Sequence, residues 1–310
     1  MTDLPFSAVR FLLVVAAALL VVGAASAAEQ PVTATPNTEI RLIHYRAHDG
    51  HIRPAWLFLP AGYHGQRVPL VISPHGRGVD ESDNALFWGD LPGEGGFALI
   101  DPAGEGRRLQ WYSWGAPGQI ADLARMPEVA RAWGVNVDEH RIYAFGGSMG
   151  GQETLLLVAR YPHLLAGAAA FDPATDMARR YRDFGALPGG SGLQALAREE
   201  IGGTPAQVPR AYAVRSPDHY EEAIARSGVP LQLYWSSRDR IIRDQRLETN
   251  ELAIAIDRDD EHERLWDFHG DWSHTAEMRA DRRLPRALAR FGLLPWKDAP
   301  AVPATRSRLA

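Results

Sequence analysis

The stretch Gly146-Gly147-Ser148-Met149-Gly150-Gly151 constrains this chain more than any other. Before it runs Arg141-Ile142-Tyr143-Ala144-Phe145, short and apolar enough for a buried strand. After it, residues 152–160 are rich in helix formers and stop at Tyr161-Pro162. A strand that becomes a helix within so few residues must hold Ser148 in strained backbone. Its neighbours two positions away, Gly146 and Gly150, then have to lack side chains. Such a G-x-S-x-G turn lifts the Ser148 hydroxyl above the sheet as a nucleophile. It also leaves the Met149 N–H at a helix N-terminus, placed to stabilise an oxyanion.

Strands and helices alternate on both sides of this turn. Alternating apolar runs and turn signals predict strands at 40–45 and 54–59 around an Asp49-Gly50 hairpin, then at 69–73 and 97–100. A helix is predicted over 119–133, followed by a turn at 137–140 and the strand that leads into Ser148. Beyond the 152–160 helix, strands are predicted at 165–171, 229–235 and 264–268, with helices around 244–257 and 275–291. Residues 174–228 lack strand periodicity and carry several Pro and Gly breakers. They read as a modest, mostly helical insertion over the sheet edge, after the strand ending near Phe171. The pattern implies an α/β fold, a mostly parallel twisted sheet with helices on both faces.

With 310 residues and 45% hydrophobic content, the chain can bury one large core. An apolar run at 11–22 follows Arg10 and precedes Ala25-Ser26-Ala27-Ala28. That is the layout of a signal peptide over 1–28, cleaved after Ala27 or Ala28, with a membrane anchor as the alternative. The expected organisation continues with a linker at 29–39, the folded domain at 40–294 and a disordered tail at 295–310. The expected location is therefore secreted or periplasmic, with no stable membrane association after processing. The chain has no cysteine, which excludes a thiol nucleophile and an acylated lipoprotein anchor. Its net charge is −5, and its arginines are scattered rather than gathered into a patch, so no nucleic-acid partner is expected.

In an open parallel sheet, ligands bind beyond the carboxyl ends of the strands. Ser148 ends one predicted strand, Asp239 lies just past another, and His274 sits in the loop past a third. Chain order Ser, Asp, His suits acyl transfer: His274 accepts the Ser148 proton, and Asp239 fixes the imidazole tautomer. Asp244 is the rival carboxylate and His269 the rival base. Strand-end position favours Asp239, and the Gly270-Asp271-Trp272-Ser273 turn favours His274 over His269, which closes its strand. The second oxyanion donor is expected after the 69–73 strand, in His75-Gly76-Arg77-Gly78. Arg77 N–H is the choice there, with Gly76 and Gly78 as alternatives.

Taken together, His75-Gly76, the 137–143 run, the Ser148 turn, Gly202-Gly203-Thr204-Pro205, residues 236–242 and the late His274 resemble a known family. They are similar to secreted α/β hydrolases of the prolyl-oligopeptidase-like and dienelactone-hydrolase-like esterase group, including polyhydroxybutyrate depolymerase and feruloyl esterase relatives. The resemblance implies a Ser-His-Asp serine hydrolase acting on ester or, less often, peptide bonds. It implies no metal or cofactor, and a small-molecule or polymer-linked ester as substrate. No N-terminal propeller is expected ahead of the domain, which lowers the peptidase reading, and the missing cysteines set the chain apart from disulfide-bearing depolymerases. A non-catalytic binding protein on the same fold is the rival of a different class.

Trp111, Trp114 and Trp272 fall in segments expected near the strand ends, where rings bind sugar or aromatic acyl groups. The competing reading is packing beneath long loops. Glu199-Glu200 is the acidic pair in the insertion that could grip a peptide amine, against a solvated helix face.

Overall fold

Among the described residues of the computed structural model, nine strands join into one sheet: β1 (Thr33–Ala34), β2 (Thr38–Arg46), β3 (Ile52–Pro60), β4 (Val68–Ile72), β5 (Ala98–Pro102), β6 (Val137–Gly147), β7 (Gly167–Phe171), β8 (Leu231–Ser236) and β9 (Leu265–Gly270). The structure describes residues 33–34, 36–79, 84, 87–260, 264–279 and 283–295. Spatial order is β1-β2-β3-β5-β4-β6-β7-β8-β9. The β1–β2, β2–β3 and β3–β5 pairs are antiparallel. Every pair from β5 to β9 is parallel.

Period-two burial explains the two-sided core. Leu70 and Ile72 of β4 join Leu57, Ala144 and Leu233 on one face. Against that face lie α2 (Pro117–Ala132), α3 (Met149–Arg160), α7 (Glu221–Ala225) and α8 (Thr249–Asp259), which contribute Leu123, Leu155, Ile224 and Leu252. Val71, between them in β4, faces the other way with Phe58, Leu99 and Phe145. Leu284 and Leu288 of α10 (Arg283–Arg290) cover that second face. Each such fully buried Leu or Phe contributes about 1.5–3 kcal/mol of burial. Phe171, Tyr234 and Phe268 stack across β7, β8 and β9 with centroids 4.5 Å apart in each pair, tying together three of the four strands whose ends carry the candidate site.

Two expectations change. Residues 137–140 form no turn: they open β6, with Val137 paired to Val68 across a register shift before Leu70. The irregular start leaves the polar Glu139 and His140 exposed on a strand, which hides its periodicity. The insertion also sits elsewhere than at a sheet edge. It leaves from β7, between β6 and β8, and comprises α4 (Met177–Phe184), α5 (Gly190–Ile201), α6 (Pro209–Ala213) and α7. Met177, Phe184, Ala197, Ile201 and Tyr212 close over Trp114 and over Met149, the first residue of α3, so the insertion covers the strand ends beside Ser148.

The remaining helices are α1 (Leu91–Gly95) and α9 (Ala276–Arg279), so the 275–291 segment carries two helices, α9 and α10. Of the expected linker, β1 pairs with β2 through Thr33↔Ile40 and Ala34↔Glu39. The signal-peptide reading of 1–28 and the tail reading of 296–310 lie outside the described residues. Among the described residues, no helix is long and apolar enough to cross a membrane.

Candidate active site

Ser148 has φ 59° and ψ −121°, a left-handed-side conformation that costs a non-glycine residue about 1–3 kcal/mol. Its amide donates to Phe171 O at 2.8 Å and its carbonyl accepts from Gln152 N at 3.0 Å, so β7 and α3 hold the strain. The glycines are needed for close approach. A Cβ on Gly146 would lie 2.3 Å from Gly150 O, and one on Gly150 would lie 2.1 Å from Pro74 O. Gly150 thus lets α3 meet the loop that follows β4. In that loop, a Cβ on Gly76 would stand 4.0 Å from Ser148 Cβ, so the Pro74–Gly78 backbone borders the hydroxyl.

Ser148 and His274 line one cavity of about 250 Å³, with Gly76, Arg77, Ile241 and Met278. His274 Nδ1 donates to Asp239 Oδ2 at 2.7 Å, because an ionised carboxylate can only accept. That tautomer leaves Nε2 as the acceptor nitrogen. Asp239 Oδ1 accepts from Ile241 N at 2.8 Å and Ile242 N at 2.9 Å, and Gln245 Nε2 donates to Oδ2 at 3.2 Å. Burial pushes the Asp239 carboxyl up, but the hydrogen bond and charge of His274, with those other donors, hold it below the usual range. Neither rival takes part in this His274–Asp239 hydrogen bond. Asp244 is exposed and directly precedes a short 3₁₀ turn without a side-chain bond to it. His269 is exposed on β9 and stacks on Trp235 at 4.1 Å.

A second acid joins from β7. Asp172, with φ 41° and no exposed surface, accepts from Trp272 Nε1 at 3.0 Å and Thr275 N at 2.8 Å through the same Oδ2. Burial first, and then the Asp239 charge, push its carboxyl up to about 6. Asp172 directly follows β7, as Asp239 follows β8 three residues on, so both lie just past the carboxyl end of a strand. That strand-end position, with Asp172-Pro173 closing an apolar run, was the available sequence signal. Beneath the elbow, Glu153 Oε1 accepts from Ser113 Oγ at 2.5 Å and Gly115 N at 3.3 Å, and burial pushes Glu153 up to about 7.

The three tryptophans do not line the cavity. Trp114 is buried against Phe184 and Tyr112, and Trp272 is buried with its indole N–H on Asp172. Both are consumed by packing under the loops that bear the site. Trp111 is exposed, and its carbonyl accepts from Gly78 N at 3.1 Å. Met149 presents its backbone at the start of α3 while its side chain is buried under Trp114, whose amide donates to Met149 Sδ at 3.2 Å. Of the acidic pair, Glu200 is buried and accepts from Arg108 N at 2.7 Å and Leu109 N at 2.8 Å, whereas Glu199 is exposed. His75 is buried in its turn, with Nδ1 2.9 Å from Gly76 O.

Among the described residues, two groups bring three ligand-type atoms within 4.8 Å of one another: Asp172, Asp239 and His274, and, apart from them, His48, Glu105 and Asp122. In the second, Arg53 and Arg125 pair with Glu105 and Asp122, which makes it an ion-pair network that ties the β2–β3 hairpin to α2. In the first, the hydrogen bonds already engage Asp239 and His274 with each other.

Residues 97–239 match the model of the prolyl oligopeptidase family. No curated protein matches the chain. Among solved structures, the acylaminoacyl peptidase of Pyrococcus horikoshii is 15% identical with a TM-score of 0.61, over 82% of this chain and 40% of that one. The chain thus spans about two-fifths of that peptidase. A Rhizomucor miehei esterase structure is 13% identical with a TM-score of 0.64, over 86% of this chain and 85% of that one. An S-formylglutathione hydrolase from Agrobacterium tumefaciens is 13% identical with a TM-score of 0.61, over 84% and 98%. At such identities the likeness is one of fold. The chain is an α/β-hydrolase-fold protein, prolyl-oligopeptidase-like over residues 97–239.

Proposed function

We propose that this protein is a serine hydrolase that cleaves carboxylic esters through an acyl-enzyme. The observation that carries the reading is the strained Ser148 sharing one cavity with His274, whose Nδ1 is hydrogen-bonded to Asp239. Ser148 Oγ attacks the ester carbonyl carbon as His274 Nε2 takes its proton, and Asp239 steadies the resulting imidazolium. The tetrahedral oxyanion is met by the Met149 N–H and an N–H of the Pro74–Gly78 loop, with Arg77 as the choice. Collapse breaks the bond to the alcohol, which leaves with the proton from His274. Water, deprotonated by His274, then attacks the acyl-Ser148 carbonyl, releases the acid and returns the proton to Ser148.

Two features favour esters over peptides. An ester leaving group needs less exact protonation than an amine. The one buried member of the acidic pair, Glu200, is already held by the Arg108 and Leu109 amides, so it is not offered to a peptide terminus. Esterase and S-formylglutathione hydrolase structures share the fold, whereas the prolyl oligopeptidase match supports a peptidase as the second reading. The test compares kcat/KM for 4-nitrophenyl acyl esters and 4-nitroanilide peptides, with Ser148→Ala as blank. The ester reading expects esters to be turned over at least about a hundredfold faster, and peptide turnover equal to or above ester turnover overturns it. Export through residues 1–28 is part of the proposal and is read by N-terminal sequencing of the processed protein, which should begin just after Ala27 or Ala28.

A further inference from the structure

Two guanidinium groups lie against the Phe184 ring. Arg180, one turn earlier on α4, has its Cζ 4.7 Å from the ring centroid, and Arg77, from the loop after β4, lies at 5.7 Å. Arg77 is half-buried and lines the Ser148 cavity. Arg180 is 3% exposed, and its buried Nη1 has no hydrogen-bond partner. Among the described residues, neither forms an ion pair. Among the same residues, Arg77 meets the Tyr112 hydroxyl, and Arg180 feels Glu248, Asp183 and Asp239 through space. Burial pushes the Glu248 carboxyl up, against the Thr175 amide and the Arg180 charge, while Arg180, lowered by its own burial to about 10, stays charged at neutral pH.

A buried guanidinium with an unpaired N–H beside a second, half-buried one is costly, and its cost falls when an anion arrives. The surroundings repeat the sign. Arg240, Arg243 and Arg246 line an adjoining cavity of about 520 Å³ with Asp239 and Asp244, in a chain whose net charge is −5. A positive rim on a negative protein steers and concentrates anionic ligands.

We propose that the substrate carries a carboxylate, which contacts the Arg77 guanidinium at the rim of the Ser148 cavity while Arg180, behind Phe184, adds its field. This rests on the hydrolase reading and specifies its substrate class. Arg77 would donate paired N–H bonds to the carboxylate, the strongest geometry available to such a group.

The test uses two pairs of esters at low salt. Mono-4-nitrophenyl glutarate against its methyl-capped form places the charge on the acyl side, and 4-carboxyphenyl butyrate against its methyl ester places it on the alcohol side. Wild type should favour the charged member of at least one pair by about tenfold in kcat/KM, and the preference should shrink with added salt. Arg77→Gln should lower that charged-to-neutral ratio by about tenfold, Arg77→Lys should retain part of it, and Arg180→Met should lower it several-fold. If Arg180→Met does not fold, the half-buried Arg77 variants carry the comparison. No preference for charge in either pair, or a ratio unchanged in Arg77→Gln, overturns the proposal while leaving the hydrolase reading intact. Should no ester be turned over, the hydrolase reading fails and anion binding is read directly. Monomethyl glutarate must then raise the Tm of wild type more than dimethyl glutarate does, and lose that effect in Arg77→Gln; equal shifts sink the proposal.

Discussion

The Thr275 amide donates to Asp172 Oδ2 at 2.8 Å, next to His274 in the chain. With the Trp272 indole on the same oxygen, Asp172 fastens both sides of the turn that carries His274. Asp239 grips the imidazole itself. The His274 imidazole is therefore oriented by one acid and the backbone beside it by another. Asp172→Ala should lower kcat by about 10–100-fold, the equivalent of about 1.5–3 kcal/mol for hydrogen bonds to a charged acceptor, with a smaller change in KM. Asp172→Asn, which keeps an acceptor oxygen, should lose less. Steady-state kinetics with a neutral 4-nitrophenyl ester check this. Full activity in a folded Asp172→Ala protein would show that the turn needs no such tether.

Within the proposed triad, Ser148→Ala and His274→Ala should each lower kcat by several orders of magnitude, because either loss leaves only binding and the oxyanion donors. Asp239→Asn should cost less than either, since the imidazole remains. The comparison requires near-native circular dichroism in all three. A larger loss for His269→Ala than for His274→Ala would reassign the base.

Gly150→Ala should fail for a steric reason unrelated to chemistry. Its Cβ would stand 2.1 Å from Pro74 O and 3.1 Å from His75 O, both backbone atoms that cannot swing aside. A cost of about 3 kcal/mol or more, or roughly 6–12 °C in Tm, is expected. Gly192→Ala, on a helix with nothing within 4 Å of the new carbon, should be neutral or slightly stabilising. Equal melting temperatures for the two variants would contradict the close approach.

How much of this was legible in the chain depends on how local each cause is. The Ser148 turn is written in consecutive residues, because strain at one position demands glycine two away on either side. The strand–helix alternation is equally local, and it points to the β4 to β9 parallel sheet. Asp239 and His274 required the extra rule that ligands gather at strand ends, which separated them from Asp244 and His269. Asp172 obeys the same rule, yet its partners Trp272 and Thr275 lie about 100 residues on, and only the β7–β8 and β8–β9 pairings bring them together. The burial of Trp114 was hidden for the same reason, since α4 had first to be placed over Met149.

Glu153 gives the fold a pH dependence whose sign is fixed. Burial raises its folded value to about 7 from an ordinary 4.5, so the fold favours its protonated form. Its ionisation therefore costs nothing below pH 4.5, a growing amount between 4.5 and 7, and a constant amount above 7. Glu153→Gln keeps an acceptor for Ser113 and removes the charge. Its stability relative to wild type should improve by up to roughly 3 kcal/mol as pH rises from 4.5 to 7 and then level off. Denaturant melts of both proteins at pH 4.5, 6, 7 and 8 check this, and a pH-independent difference would place the Glu153 charge in solvent.

The most direct test of the account is covalent labelling by a fluorophosphonate, read by intact mass and peptide mapping. An elbow serine activated by His274 should displace fluoride and carry one phosphonyl group on Ser148. The label should be absent from Ser148→Ala and strongly reduced in His274→Ala. An unlabelled wild-type protein, or equal labelling of wild type and Ser148→Ala, would contradict the serine-hydrolase assignment.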